Sequence, residues 1–304
     1  MSVLFQLMFW MLVVGPCALA GRDFVSRNLH TIEQIYNLTL YPNFLPILQN
    51  GSAAVPPGLF SPNVSGRISP LGNFTGFEES IEYFFSLAPV PQGTNGNAFY
   101  RADTVEFTSG CPEVAASVTY LAVGPVDPVS GGLINSTNAT TTAVKQIAFW
   151  SFDGEGRVKA YDAWLPNLQL WTATLLGRDL TNRTIQDAFR DALCPVIQQR
   201  CTGPNQQYDD VDDCLDTLRQ KPFGTYDEVW GDNIACRTIH AILTQTRPGV
   251  HCPHVGRNGG NGPDNYKCVD IDYSLEYFAD QKLYGEAEGV PFTCPERAYP
   301  GRHW

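Results

Sequence analysis

Asp162 is the residue in this chain best placed to do acid–base chemistry. It sits in Arg157–Trp164, RVKAYDAW, a run that alternates like a strand. The period of two puts Val158, Ala160, Asp162 and Trp164 on one face, and Arg157, Lys159 and Tyr161 on the other. A carboxylate on an apolar face has its charged form disfavoured, which raises its pKa toward the range of a general base. The plainer reading is a buried Asp satisfied by backbone N–H groups or by an Arg. Tyr100 and Tyr120, on neighbouring strand-like runs, and Tyr83 offer hydroxyl donors of the kind that stabilise an enolate. Phe84, Trp150, Trp164 and Trp171 are candidate walls of a hydrophobic pocket. Ordinary core packing is the plainer role of these aromatics.

Histidine and cysteine supply a second chemistry. Cys236 and His240 are four residues apart on a predicted helix and share a face. His251, Cys252 and His254 follow closely. Together they mimic a Cys/His zinc site. An even cysteine count argues instead for disulfides with the histidines in the core, and the expectation is no metal and no cofactor. His240, His251 and His254 remain the alternative metal set. His30 is the lone histidine of the first half and has no partner in the sequence. Asp209, Asp210, Asp212 and Asp213 lack the central Gly and later Glu of a calcium loop and fit a helix N-terminus. Gly259–Gly262 lacks the Lys-Ser/Thr ending of a phosphate loop, and no Gly-x-Ser-x-Gly elbow occurs.

The compartment is legible. Residues 1–20 carry no charged side chain, run apolar from Val3 to Val14, break at Pro16 and end in Ala18-Leu19-Ala20, so they are expected to be a cleaved signal peptide. Seven Asn-x-Ser/Thr triplets, at Asn37, Asn50, Asn63, Asn73, Asn135, Asn138 and Asn182, are candidate glycosylation sites. Beyond Cys17, eight cysteines remain: Cys111, Cys194, Cys201, Cys214, Cys236, Cys252, Cys268 and Cys294. In an oxidising compartment they predict four disulfides of undetermined connectivity. Only Cys111 precedes residue 190, so full pairing must tie it to the C-terminal part. The expected protein is secreted and extracellular, with no membrane contact after cleavage. A net charge of −11 over 304 residues argues against a nucleic-acid partner.

Helical spacing covers 22–48, with Val25, Leu29, Ile32, Ile35 and Tyr36 on one face, and recurs at 76–87. Residues 50–72, rich in Gly, Pro, Ser and Asn, read as a loop. Strands are predicted at 99–108, 113–123, 143–152 and 157–164, with a low-complexity loop at 125–141 and a turn at Asp153–Gly156. After about 166 the chain turns helical and cysteine-rich, with helices near 185–196, 209–215, 232–246 and 274–283.

Helices followed by a curved antiparallel sheet closing in FWSFDGEGRVKAYDAW resemble the NTF2-like superfamily. Gly76 and Phe77–Phe85 (FEESIEYFF) resemble a helix of its SnoaL-like members. The rest, with Cys236–His240, His251–Gly256 and Cys268-Val269-Asp270, resembles the Cys-rich extension of secreted fungal proteins of unassigned activity. The resemblance implies an α+β fold. Its parts would be a signal peptide at 1–20, an NTF2-like cone at 21–175 and a Cys-rich helical region at 176–304. It implies an apolar small molecule as partner and a cofactor-free cyclase, isomerase or dehydratase reaction of polyketide-type secondary metabolism, with Asp162 as acid/base. The alternative is a non-catalytic secreted ligand-binding or interaction protein. Homodimerisation through the outer sheet face is the association such folds favour. His30 does not match the His–Asp arrangement of dehydratase members.

Overall fold

The computed structural model describes residues 23–91, 96–134, 140–262, 265–272 and 292–295. The candidate signal peptide, Asn135, Asn138 and the helix expected at 274–283 lie outside the described residues. The chain forms α1 (Asp23–Leu38), α2 (Leu45–Asn50), β1 (Phe60–Ser69), β2 (Gly72–Thr75), α3 (Gly76–Ile81), β3 (Asn97–Cys111), β4 (Val114–Pro125), β5 (Thr142–Phe152) and β6 (Val158–Trp164). Then follow α4 (Leu168–Leu176), α5 (Arg183–Arg200), α6 (Val211–Leu218), α7 (Ile234–Leu243) and α8 (Pro248–Val255). No described helix is long and apolar enough to cross a membrane.

The six strands form one sheet in the order β2-β1-β6-β5-β4-β3. All neighbours are antiparallel except β1 and β6, which are parallel. Register breaks in β1, β3 and β6 mark irregularities of the kind that bend a sheet. The fold is α+β, as the sequence predicts: a curved sheet packed by helices, then a helical region with four disulfides. The 50–72 segment differs from expectation, since it holds β1 as well as a loop. Pro62 and Gly66 hide the strand. Gly66 is needed because a Cβ there would lie 2.3 Å from the Tyr161 carbonyl oxygen and against its ring.

Helix α1 buries Asn28, Thr31, Ile32, Ile35 and Tyr36, a stripe at helical spacing. Its polar members fix the helix to both hairpin ends. Arg27 donates to the Pro112 carbonyl at 2.8 Å, Asn28 donates to Ser109 at 3.0 Å, and Thr31 donates to the Gly156 carbonyl at 3.4 Å. Helix α3 starts with the Thr75 N–H donating to Glu79 (2.9 Å) and runs into one π-helical turn, Glu82–Ser86, whose five residues are all buried. A π-turn rotates successive side chains away from α-helical positions, and such turns concentrate at functional sites. Here Phe84 and Phe85 enter the core under the sheet, whereas Glu82 meets side chains of α8 and its preceding loop.

In the C-terminal region, Asn182, Asp210 and Asn233 cap α5, α6 and α7 by accepting backbone N–H bonds of 2.8–2.9 Å. The aspartate run at 209–213 is thus a helix start. The disulfides are Cys111–Cys294, Cys194–Cys214, Cys201–Cys252 and Cys236–Cys268. As the cysteine distribution requires, Cys111 ties the sheet to the C-terminal part. Four disulfides belong to an oxidising compartment.

Candidate functional site

A cavity of ≈ 320 Å³ lies between the inner sheet face, the π-turn, α4 and α7. Ile68, Phe99, Leu121 and Val144 from the strands, Phe84, and Leu168 and Leu175 of α4 form much of its wall. Phe189, Tyr226, Ile239 and Ile242 come from the Cys-rich region, which therefore completes the cavity. Leu176 and Ile242 are exposed at its rim. Few polar groups face inward. Two of them, Gln146 Nε2 and Trp171 Nε1, are buried donors with no hydrogen-bond partner among the described residues. An unmade bond at a buried donor costs roughly 1–3 kcal/mol, so such donors await an acceptor. Two phenols, Tyr83 and Tyr226, also line the cavity. Burial pushes the Tyr226 hydroxyl up to about 12. Burial, helped by the charges of Glu79 and Glu82, holds the Tyr83 hydroxyl well above the usual phenol value. Both are donors at neutral pH.

Asp162 does not line this cavity. The strand alternation is interrupted, because Val158 pairs with Phe152 while Ala160 pairs with Ser151, leaving Lys159 as an extra residue on β6. That bulge reverses the faces beyond it. Val158 faces the core before the bulge, and Tyr161 and Ala163 face it after. Asp162 and Trp164 are therefore turned to the outer face, which corrects the expected orientation. There Arg67 Nε and Nη2 donate to the two Asp162 oxygens at 2.9 Å each. Burial raises the Asp162 carboxyl and the Arg67 bonds lower it, with a net upward shift. Tyr100 and Tyr120 also lie outside the cavity lining. Tyr100 bonds the Thr140 hydroxyl at 2.6 Å, and Tyr120 lies under Lys145. Trp150 is fully buried behind Phe84 and donates to Ser117 at 2.9 Å. Trp164 packs against Phe149 and Arg67. Phe84, Trp171 and Tyr83 are the sequence candidates that do reach the cavity. Gln146 was legible as the polar residue inside the alternation Val144, Gln146, Ala148, Trp150.

A second constellation lies behind Tyr83. His240 of α7 and His251 and His254 of α8 are all buried. His240 Nδ1 is 3.3 Å from His251 Nδ1 and 3.1 Å from His254 Nδ1. His251 Nε2 faces Glu82 Oε2 at 3.0 Å, and His254 Nε2 faces Asn265 Oδ1 at 2.8 Å. The Tyr83 hydroxyl is 3.3 Å from His240 Nε2. Arg247 grips both Glu82 oxygens at 2.5 Å. Burial alone would raise the Glu82 carboxyl, but hydrogen bonds and charge from His251 and Arg247 outweigh it and hold it below its usual range. Burial and the neighbouring imidazoles hold His240 well below the usual imidazole value, and burial pushes His254 down to about 3. The Cys236–Cys268 disulfide ties the α7 face of His240 to the loop of Asn265, and Cys201–Cys252 anchors α8 beside His251. Glu82, Arg247 and Asn265 carry no motif that would single them out in the sequence. His30 is exposed on α1.

The sheet and its helices enclose an apolar cavity that the Cys-rich helical region completes. A family model, the BfoA family C-terminal domain, matches residues 163–270. The chain is similar to the Aurasperone B biosynthesis cluster protein A of Aspergillus niger, with 29% identity, covering 96% of this chain and 98% of that protein. It is also 29% identical to the Bifonsecin B biosynthesis cluster protein A of Aspergillus brasiliensis, over 91% of this chain and 93% of that one. Among solved structures, an NTF2-like protein with a cystatin-like fold from Novosphingobium aromaticivorans aligns with 54% of this chain and 98% of its own, at 14% identity and a TM-score of 0.33.

Proposed function

We propose that this protein binds, inside the cone, an apolar small molecule bearing carbonyl or hydroxyl oxygens, of the polyketide type made in fungal secondary metabolism. The observation that carries this reading is the pair of unpartnered donors, Gln146 and Trp171, in an otherwise apolar cavity. Apolar walls supply affinity, and a few placed donors fix orientation. The full-length similarity to biosynthesis-cluster proteins supports the metabolic setting. A second reading, cyclisation or isomerisation of the bound molecule, is favoured by the same donors together with Tyr83 and Tyr226. Hydrogen bonds to a carbonyl oxygen strengthen as it gains enolate charge. In this reading Asp162 is a partner of Arg67 rather than the base, because it does not line the cavity and both its oxygens accept from Arg67.

The protein would act in the secretory pathway or outside the cell, with its signal peptide removed after Ala20. Asn37, Asn50, Asn63 and Asn182 are exposed and open to glycosylation, whereas Asn73 is only partly exposed. N-terminal sequencing and glycosidase treatment of protein secreted by a fungal host check both points. An N-terminus at Met1, or a mass unchanged by glycosidase, counts against them.

Titration calorimetry with hydroxylated naphthoquinones and anthraquinones tests the ligand. Saturable one-to-one binding is expected, abolished by Thr172→Phe, which fills the cavity from α4. Absence of binding to every probe, with no small molecule retained in native mass spectra, overturns the reading. Binding undiminished by Thr172→Phe places the ligand elsewhere.

A further inference from the structure

We propose that His240, His251 and His254 bind a divalent transition-metal ion of the zinc class through their three Nδ1 atoms. The proposal is independent of what the cavity binds.

The first argument is spacing. Two Zn–N bonds of about 2.05 Å at a tetrahedral angle hold their nitrogens about 3.3 Å apart. The contacts of His240 Nδ1 with the other two Nδ1 atoms, 3.3 and 3.1 Å, match this. The donor atoms of the three residues all lie within 4.8 Å of one another.

The second argument is proton accounting. A neutral imidazole has one N–H and one lone pair. Glu82 takes a bond from Arg247 on each of its two oxygens and can only accept, so the contact at 3.0 Å puts the His251 proton on Nε2. Asn265 Oδ1 likewise takes the His254 Nε2–H at 2.8 Å. Asn265 Nδ2 in turn donates to Asn261 Oδ1 at 2.7 Å. Both remaining Nδ1 lone pairs then point at His240 Nδ1. That atom carries at most one proton, which cannot satisfy two acceptors well. A cation between the three nitrogens satisfies all of them. The Tyr83 hydroxyl lies beside the His240 ring, 3.3 Å from Nε2 and 3.4 Å from Nδ1. His251 and His254 thereby have outer partners, Glu82 and Asn265, as metal-bound histidines almost always do.

The third argument is rigidity and donor type. His251 and His254 are three residues apart on one helix, and His240 is on the helix packed beside it. The disulfides Cys236–Cys268 and Cys201–Cys252 brace these helices on either side. With Cys236 and Cys268 joined, the donor set is three imidazoles, which suits zinc-class ions and leaves one coordination position open. Tyr83 is the wall shared by this site and the cavity. The site also joins the cone to its brace, because Glu82 and Tyr83 belong to the π-turn and the ligands to α7 and α8.

The test uses the full chain secreted into zinc-containing medium. Elemental analysis should give about one zinc per molecule. After chelator treatment, cobalt(II) titration should produce visible bands of a four-coordinate ion at one equivalent. X-ray absorption should show nitrogen or oxygen neighbours and no sulfur. His254→Gln should lower zinc affinity at least 100-fold. Asn265→Ala, which removes an outer partner and leaves all three ligands, should lower it roughly 10-fold. Far-UV circular dichroism and the absence of free thiols certify the fold of each variant. If His254→Gln does not fold, Asn265→Ala and the absorption spectrum still decide. A folded wild-type protein that takes up less than about a tenth of an equivalent overturns the proposal. So does sulfur in the coordination shell, or unchanged affinity in a folded His254→Gln.

Discussion

Replacing Arg67 with Met isolates the role of Asp162. The two residues are directly opposed in the parallel β1–β6 pair and joined by two bonds of 2.9 Å. Their side chains are only 8% and 13% exposed, so solvent screens the pair weakly. Removing the guanidinium leaves a mostly buried carboxylate without it, and breaking such a pair costs about 3–5 kcal/mol. Replacing both with apolar residues, Arg67→Met with Asp162→Leu, removes the stranded charge and should come within roughly 1–2 kcal/mol of wild type. The double-mutant cycle should therefore report a coupling of at least about 1 kcal/mol. Urea unfolding with disulfides intact gives the free energies, and probe binding by calorimetry is measured alongside. Binding should be unchanged in every folded variant, because neither side chain lines the cavity. The reasoning fails if Arg67→Met is neutral. It fails equally if the double variant folds with wild-type stability yet loses binding or turnover, which would return Asp162 to the site.

Gln146→Leu and Trp171→Phe should each weaken binding of an oxygen-bearing probe about fivefold, the worth of one neutral hydrogen bond, and leave binding of a purely hydrocarbon probe unchanged. Equal losses for both probes on calorimetry would mean altered shape rather than lost donors. Asp153 accepts the N–H groups of Glu155 and Arg157 at 2.9 and 3.0 Å and the Arg157 guanidinium at 2.7 Å. Burial raises its carboxyl, but these bonds outweigh that and leave it lowered. Its stabilisation is thus present above the unfolded value near pH 4 and lost as pH falls through the lower folded value. Asp153→Ala should cost about 1–2 kcal/mol at pH 7 and progressively less in acid, read by denaturant midpoints. A cost that does not change with pH contradicts the assignment. Replacing Cys111 and Cys294 with Ser opens a link spanning 183 residues. In the chain-entropy limit this costs about 5 kcal/mol, and an unchanged thermal midpoint would show that the C-terminal tie adds nothing.

Element types in the sheet were readable because alternation and turn residues act locally. FWSFDGEGRVKAYDAW gave two strands and a turn, and α1 declared its buried stripe. β1 was missed because its Gly and Pro look like loop residues until Tyr161 is seen against Gly66. The faces of β6 were misread for a related reason. A bulge is a relation between two strands, and the extra Lys159 becomes visible only once Ser151 and Phe152 are paired with Ala160 and Val158.

The cysteine count alone required that Cys111 cross to the C-terminal part, since pairing eight thiols leaves it no partner nearby. Composition, charge and the N-terminal run pointed by themselves to a folded chain destined for an oxidising compartment. The three histidines were visible as a set, but their worth was not. Only the packing of α8 on α7 and on the π-turn brings the Nδ1 atoms of His251 and His254 within hydrogen-bond distance of His240 Nδ1 and sets Glu82 and Asn265 behind them. Likewise only tertiary structure turned Asp162 outward and Gln146 inward. Side-chain type and local period are properties of a segment. Convergence, burial and the choice of face depend on which segments pack together.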